Sequence, residues 1–266
     1  MKKSTKTASI IVILLSIMYL AGNRQTKEHS ESPVQLVRDT ISVMTIDTTK
    51  QGIIVFYPKF SRIDLVCEEM PTPIRDSNVV FCCEGVFTGG LLQEFSHSNI
   101  AGDHVSEGIR YKGYLSPRNN GAFVFYDRKW KFLHKFYDAE LDSAALHGGM
   151  GFGQEMMIHE GTEVPHTRPA GSSNIFRALC EIDGKLCLAN ANEVQSFGTF
   201  IKNLLDAGAT EALYLDMGSG WNCSWVRTTM PGDGHYLFPK AYDYTTNWIT
   251  FYYENGTGDT PTKQEQ

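Results

Sequence analysis

Residues 177–220 read RALCEIDGKLCLANANEVQSFGTFIKNLLDAGATEALYLDMGSG. Two runs of mainly apolar residues flank Asp183-Gly184, and this dipeptide is typical of the two-residue turn of a β-hairpin. A third apolar run then ends at Asp216, in front of a glycine-rich turn. The segment therefore predicts a hairpin and a further strand that carries a carboxylate at its tip.

Between the hairpin and the last strand the apolar residues change to helical spacing. They fall at i, i+3, i+4, i+7 and i+8, which forms one continuous stripe: Phe197, Phe200, Ile201, Leu204 and Leu205. Ser196 is a suitable N-cap, and Gly208 is a suitable left-handed cap after the last turn. We expect an amphipathic helix packed on the strands around it.

Strand signals recur outside this segment, in runs rich in β-branched and aromatic residues bounded by Gly, Asp, Asn or Pro. They lie at 52–59, 62–67, 78–84, 121–127 with 129–134, 155–160 and 248–254, and a weaker helical signal lies at 139–146. Hairpin order rather than strict strand–helix alternation favours an α+β fold. We expect one domain, residues 34–254, with a large, mostly antiparallel sheet and a few packed helices.

The N-terminus has the pattern of a targeting segment. Lys2, Lys3 and Lys6 precede an apolar run, residues 8–21, that is short for a membrane span. We expect a signal peptide at 1–22, cleaved after a small-residue pair, and no membrane span afterwards; an uncleaved anchor is the alternative. Residues 23–33 read as a polar linker and 255–266 as a disordered tail. The protein is then secreted, periplasmic or in the cell envelope.

The bulk composition excludes some partners. The formal net charge is −6, and no block of Lys and Arg follows the first few residues, so a nucleic-acid partner is not expected. Phosphate-loop, dinucleotide and serine-hydrolase motifs are absent from the sequence, and we expect no cofactor. The sequence carries no signal for an oligomeric state.

The six cysteines include one pair whose geometry can be predicted. A two-residue turn at Asp183-Gly184 places Cys180 opposite Cys187, with Cα atoms about 5.5 Å apart. A disulfide and two buried thiols are both compatible with that register. No Cys/His spacing suggests a metal site, and the stretch HEGTEVPH, residues 159–166, departs from the zinc-protease pattern HExxH.

Two strand ends carry acidic residues beside glycines. Asp216 is followed by Gly218, Ser219 and Asn222, which offer close backbone approach and hydrogen bonds to a ligand. The alternative is a tight turn in which the aspartate binds its own backbone. Glu84-Gly85 ends the strand 79–83 in the same way; its alternative is a surface carboxylate at a turn. Two carboxylates from separate strands are the minimum set for acid/base work on a glycosidic bond.

Three further residues complete the candidate site. Asp103 and His104 lie in a long polar segment, 95–108, and could bind a metal or position a proton. We include both among the substrate-binding candidates and expect no metal. Arg177 opens the first hairpin strand, and its planar guanidinium suits a phosphate; a structural ion pair is the alternative, and the two roles are compatible.

Taken in order, these motifs resemble the phosphodiester glycosidase family over residues 75–226. The segment 177–220 is similar to the family's arginine-led strand, turn, strand, helix and strand ending N-L-D-G-G-G-S. The stretch VVFCCEGVFTGG, residues 79–90, is similar to its A-x-N-G-G-F-F strand end. The resemblance implies the family's fold and a pocket built from Glu84, Arg177 and Asp216.

The chain departs from the family pattern at several pocket positions. Glu84 stands in place of the family asparagine, and Val86, Met217 and Ser219 stand in place of glycines. The resemblance implies an exported hydrolase that acts on a glycosyl phosphodiester or a related envelope glycan, with a carbohydrate or sugar-phosphate ligand. Glu84 and Asp216 would share the acid and base or nucleophile roles. The departures motivate an alternative, a non-catalytic glycan-binding or envelope protein on the same fold.

Overall fold

The architecture is mainly β-structure with few helices. The computed structural model describes residues 39–72, 76–88, 96–113, 118–169, 171–217, 223–238, 246–254 and 261–264. Residues from Thr40 onward group into one unit.

The helices of the described residues are α1 (Asp138–Leu146), α2 (Phe197–Asp206) and a 3-10 turn (His97–Asn99). The strands are β1 (Ile41–Ser42), β2 (Met44–Asp47), β3 (Ile53–Pro58), β4 (Arg62–Val66), β5 (Val79–Glu84), β6 (His104–Ser106), β7 (Ile109–Tyr111), β8 (Gly121–Tyr126), β9 (Lys129–His134), β10 (Met150–Gln154), β11 (Met156–His159), β12 (Thr162–Glu163), β13 (Ser173–Asn174), β14 (Arg177–Ile182), β15 (Lys185–Ala191), β16 (Gln195–Ser196), β17 (Ala209–Leu215), β18 (Ser224–Arg227), β19 (Thr229–Met230), β20 (Gly234–Phe238), β21 (Trp248–Tyr252) and β22 (Thr262–Lys263).

The strands divide among several sheets, which corrects the expectation of one large sheet. A seven-stranded sheet has the order β12-β11-β17-β14-β15-β3-β2, a six-stranded sheet has β22-β9-β8-β10-β6-β7, and a five-stranded sheet has β20-β18-β5-β21-β4. Two-stranded pairs are formed by β1 with β19 and by β13 with β16. The described pairings are antiparallel except that of β22 with β9. Strand signals locate strands but not their partners, because long-range pairing depends on tertiary packing.

The seven-stranded sheet is buried on both faces. Along β14, Leu179 belongs to the apolar core shared with the five- and six-stranded sheets. Its neighbours Ala178 and Cys180 belong to a second core, formed with helix α2. This alternation follows from the two-residue period of a strand. Burial on both faces explains why β14, β15 and β17 are mainly apolar along their whole length.

The hairpin and the helix of that segment are confirmed. The register places Cys180 opposite Cys187, as the Asp183-Gly184 turn predicts. Their sulfurs are 3.4 Å apart and not bonded, and both side chains are fully buried. Burial raises the pKa of the Cys187 thiol well above its ordinary value, and the neighbouring thiol of Cys180 adds to the rise. At the helix, the hydroxyl of Ser196 accepts a hydrogen bond from the backbone of Thr199 at 3.1 Å.

Strand β10 has no signal in the sequence, because its residues read MGFGQ and glycine is unfavourable in strands. The glycines are required by packing. A Cβ on Gly151 would lie 2.8 Å from the side chain of Leu141 on helix α1, and a Cβ on Gly153 would lie 2.8 Å from the phenol oxygen of Tyr137. The strand therefore exists because its glycines let helix α1 and the Tyr137 loop approach the sheet.

The proposed signal peptide and linker, residues 1–33, lie outside the described residues. Among the described residues, no helix has the length and apolar character needed to cross a membrane. Part of the segment expected to be a disordered tail forms strand β22. Its Lys263 ammonium bonds the carboxylate of Glu181 at 2.9 Å, and the backbone of Gln264 donates to the carbonyl of Trp130 at 2.8 Å.

Candidate functional site

The ends of β5 and β17, which belong to different sheets, meet at the candidate site. The backbone N–H of Asp216 donates to the carbonyl of Gly85 at 3.0 Å. Asn247 fixes this strand end from the other side: its side chain accepts from Val86 N–H at 2.7 Å and donates to the Val86 carbonyl at 2.9 Å. Glu84 and Asp216, predicted from separate strands, are therefore brought to one place in the fold.

Glu84 is the last residue of β5 and is 1% exposed. It pairs with Trp248 across the five-stranded sheet, and its Oε1 accepts a hydrogen bond from the backbone of Cys223 at 3.0 Å. The hydrogen bond from the Cys223 backbone and the surrounding protein hold the carboxyl group of Glu84 in one orientation. Glu84 is thus a buried side chain at a strand end and not a surface carboxylate.

Arg177 is fully buried at the start of β14, with 0% of its surface exposed. Its Nε donates to Oδ1 of Asn190 at 2.9 Å and its Nη2 to the hydroxyl of Ser224 at 2.8 Å. The thiol of Cys83, a weak acceptor, lies beside the guanidinium. Nη1 has no oxygen or nitrogen partner among the described residues. A buried cation therefore retains a donor for an anionic or polar ligand.

Asp216 lies half-buried at the end of β17, immediately after the partner of Arg177 in the sheet, Leu215. Burial raises the pKa of the neighbouring Tyr214 phenol, and the charge of Asp216 adds to the rise. The phenol oxygen accepts from Met217 N–H at 3.0 Å. The nearby guanidinium of Arg168, centred 4.1 Å from the Tyr214 ring, acts on that pKa in the opposite direction.

The structure distributes the other candidate residues differently. Gly218, Ser219 and Asn222 lie outside the described residues. His104 opens β6 of the six-stranded sheet, and Asp103 directly precedes it. Glu84 and Arg177 lie in the five- and seven-stranded sheets, and Asp216 directly follows β17 of the latter. Asp103 is paired with Arg110 at 2.7 Å and accepts from Gly113 N–H at 3.2 Å. It therefore has structural partners of its own.

His104 differs from the expectation of a ligand contact, because its side chain is fully buried. Its ring stacks with Tyr111, and its Nε2 lies 3.0 Å from Nδ1 of His97. Its Nδ1 lies 3.2 Å from the carbonyl of Gly102, which can only accept, so His104 carries its proton on Nδ1 when neutral. Burial lowers the pKa of His104 to about 4.

Three polar residues of the site were not predicted from the sequence: Asn190, Ser224 and Asn247. Asn190 could have been found, since the hairpin register places it opposite Arg177. Ser224 follows the quoted segment, which ends at Gly220, and has no distinguishing spacing. Asn247 reaches Val86 across 161 positions of sequence, and no local pattern indicates such a contact. Among the described residues, no cluster of three or more His, Cys, Asp and Glu could hold a metal ion.

Comparison with known proteins supports the fold and leaves the chemistry open. No family model and no curated protein sequence matches the chain. The solved catalytic domain of zebrafish N-acetylglucosamine-1-phosphodiester alpha-N-acetylglucosaminidase, auto-inhibited by its pro-peptide, is similar in structure, with a TM-score of 0.51 and 14% identity. The match covers 85% of this chain and 86% of that domain. A hypothetical protein from Synechocystis matches with a TM-score of 0.43 and 11% identity, over 79% of this chain and 61% of that one. At this identity the similarity to the zebrafish domain shows a distantly related fold.

Proposed function

We propose that the chain is an exported hydrolase that releases a sugar from a glycosyl phosphodiester or a related envelope glycan. One observation carries the proposal: the fully buried guanidinium of Arg177, with Nη1 unpartnered among the described residues, lies where two acidic strand ends meet. A buried cation is costly to desolvate unless a function or a partner compensates.

The position of the guanidinium suits a phosphate group. Arginine presents its donors in a rigid planar fork, and two of the three nitrogens of Arg177 are already held by Asn190 and Ser224. These bonds fix the plane of the fork before a ligand arrives. A phosphate oxygen that accepts from Nη1 would satisfy the remaining donor and place the rest of the ligand beside Glu84 and Asp216.

The reaction needs three roles, which Arg177 and the two carboxyl groups divide among them. Water adds across the bond between the anomeric carbon and its oxygen; the sugar leaves with a new hydroxyl and the other product is a phosphate monoester. One carboxylate, Glu84 or Asp216, takes the proton of the attacking water or attacks the anomeric carbon itself. Arg177 stabilises the negative charge that develops on the departing phosphate. The other carboxyl group supplies or holds the proton at the leaving oxygen.

The comparison supports this assignment indirectly. The zebrafish domain is named for the hydrolysis of a sugar-1-phosphodiester, and its fold is distantly related to that of this chain. Two residues stand where the family has glycines, Val86 and Met217. Both side chains are buried in apolar cores and do not fill a pocket. Their side chains therefore give less support to the alternative of a remodelled, non-catalytic pocket.

A two-part screen tests the proposal. The purified protein is incubated with a panel of sugar-1-phosphodiesters, and free sugar is measured; turnover of at least one member is expected. In parallel, the protein is applied to a glycan array. Binding on the array without turnover of any panel member would replace the hydrolase by the glycan-binding alternative.

A further inference from the structure

Arg177 is closed to solvent. Its side chain is 0% exposed, and so is Ser224, which accepts a hydrogen bond from its Nη2. Nη1 has no oxygen or nitrogen partner among the described residues, although it is the nitrogen that the proposed function offers to an anion. An anionic group can reach Nη1 only after a side chain that covers the guanidinium has moved.

The aromatic ring of Phe238 lies over this guanidinium, with 5.9 Å between the ring centroid and Cζ of Arg177. That separation is at the outer limit of a cation–π contact, so the attraction is weak and the ring can leave at a small cost. Phe238 is half-buried, whereas Arg177 beneath it is fully buried. The ring therefore covers the cation on one side and is partly open to solvent on the other.

A β-bulge in β20 gives Phe238 this position. Ser224 of β18 pairs with Phe238 and the residue after Ser224 pairs with Tyr236, so Leu237 is one residue in excess. A regular register would place Leu237 opposite Ser224 instead. Bulges change the direction of a side chain and are frequent next to active sites. Here the bulge brings Phe238 opposite the serine that holds Arg177.

The packing of Phe238 leaves its ring free to turn. Among the described strands, β20 lies at an edge of the five-stranded sheet and pairs with β18 alone, and Phe238 is its last residue. Leu237 packs against the apolar core, but Phe238 belongs to none of the core clusters of the described residues. Segments with few buried apolar contacts open at a low free energy. The ring can therefore move without disrupting the core.

We propose that Phe238 is the gate of an anion site at Arg177. With its ring over the guanidinium the site is closed, and when the ring turns outwards an anionic group reaches Nη1. The inference rests on the proposed function for the anion site itself, but not for any reaction that takes place there. Phe238 thus acts in ligand entry and not in the chemistry.

Modification of arginine by phenylglyoxal tests the gate in the purified protein, because mass spectrometry of the peptides reports access to each guanidinium separately. In Phe238→Ala, Arg177 should react about fivefold faster than in the wild type or more, since a weak cation–π contact and its cover are lost. In Phe238→Trp, whose ring is larger, Arg177 should react no faster than in the wild type.

Inorganic phosphate tests whether the opened site takes an anion. Phosphate should slow the modification of Arg177 in Phe238→Ala, relative to sodium chloride of equal ionic strength, because a phosphate oxygen on Nη1 blocks the reagent. Modification at the same rate in both salts would overturn the assignment of an anion site behind the ring.

Two controls separate the gate from a general loosening of the strand. Tyr236→Ala removes a neighbouring ring of β20 that is 50% exposed, and should leave the rate at Arg177 unchanged. Arg227 of β18 is 4% exposed, and its rate should be the same in Phe238→Ala and the wild type. An equal rise at Arg177 and Arg227, or no rise at Arg177, would overturn the gate.

The modification does not depend on turnover, so the gate and the hydrolase can fail separately. Sugar release by the wild type, together with an unchanged rate at Arg177 in Phe238→Ala, would reject the gate and retain the hydrolase. The expected rates without sugar release from any panel member would retain the gate and reject the hydrolase.

Discussion

The Nη2 of Arg177 donates to the hydroxyl of Ser224 at 2.8 Å and so joins the seven-stranded sheet to the five-stranded sheet. Asn190 holds Nε of the same side chain at 2.9 Å from within the seven-stranded sheet. The guanidinium is therefore oriented by both sheets in the absence of a ligand. Such pre-organisation lowers the entropic cost of binding and is a common feature of sites that stabilise charge.

Replacing Arg177 by lysine should abolish most of the proposed activity. An ammonium is a point charge without the planar fork, so it cannot bond Asn190 and Ser224 and still present a donor to phosphate. We expect kcat/KM for the sugar phosphodiester to fall by about 100-fold or more. Ser224→Ala, which removes one orienting bond and retains the charge, should lose less. Equal losses in the two variants would mean that loss of the Ser224 bond alone accounts for the effect of the lysine, and that Nη1 has no role of its own.

Glu84→Gln tests the acidic role of the strand end directly. The amide keeps an oxygen that can accept from Cys223 N–H, so the fold should be retained. Loss of an acid or base at a glycosidic centre typically lowers kcat by 10²–10⁴-fold. Steady-state kinetics with a thermal melt as the folding control provide the measurement. A variant with normal kcat would show that Glu84 is structural.

Gly85→Ala should destabilise the protein, because the new Cβ would lie 2.7 Å from Oδ1 of Asn247 and 3.1 Å from the side chain of Ile249. Overpacking of this kind typically costs about 1–3 kcal/mol. The same change should displace Asp216, which donates to the Gly85 carbonyl. Gly198→Ala in helix α2 meets no atom within 4 Å and should stabilise by about 1 kcal/mol. Chemical denaturation of both variants measures the contrast; a stable Gly85→Ala would mean that the strand end is loosely packed.

His104 should make stability fall as the pH decreases. Its pKa is lowered from 6.5 to about 4 by burial, so between these values the unfolded chain binds a proton that the folded chain excludes. The free energy of unfolding should therefore decrease from pH 6.5 towards pH 4, by on the order of 3 kcal/mol from this group, and level off below. Denaturation in urea at several pH values should show a shallower decrease for His104→Gln than for the wild type. His235→Gln, at an exposed position, should retain the wild-type decrease.

The sequence was sufficient for the elements with strong local signals. The Asp183-Gly184 turn fixed the register of β14 and β15, including the Cys180–Cys187 pair, since a two-residue turn permits a single pairing. The Ser196 cap and the apolar stripe likewise located helix α2. Both signals act over a few residues, within the reach of sequence patterns.

Features that depend on distant packing were not predictable in this way. Strand β10 is glycine-rich because helix α1 and Tyr137 pack against it, and the division of strands among sheets is set by long-range pairing. Asp103 and His104 were included in the predicted site because they lie in a long polar segment, and the structure places His104 in β6 of the six-stranded sheet with Asp103 directly before it. Residue type suggests a chemistry, but only the topology shows which side chains share a site.

The most direct test of the central claim is the release of free sugar from a sugar-1-phosphodiester by three proteins: wild type, Asp216→Asn and Asp183→Asn. Asp183 is an exposed turn residue with a φ of 52°, which asparagine tolerates, so its variant controls for the loss of one carboxylate. We predict turnover by the wild type and Asp183→Asn, and a loss of about 100-fold or more in Asp216→Asn. Absence of turnover by the wild type, or full activity of Asp216→Asn, would contradict the assignment of a hydrolytic site at Glu84, Arg177 and Asp216.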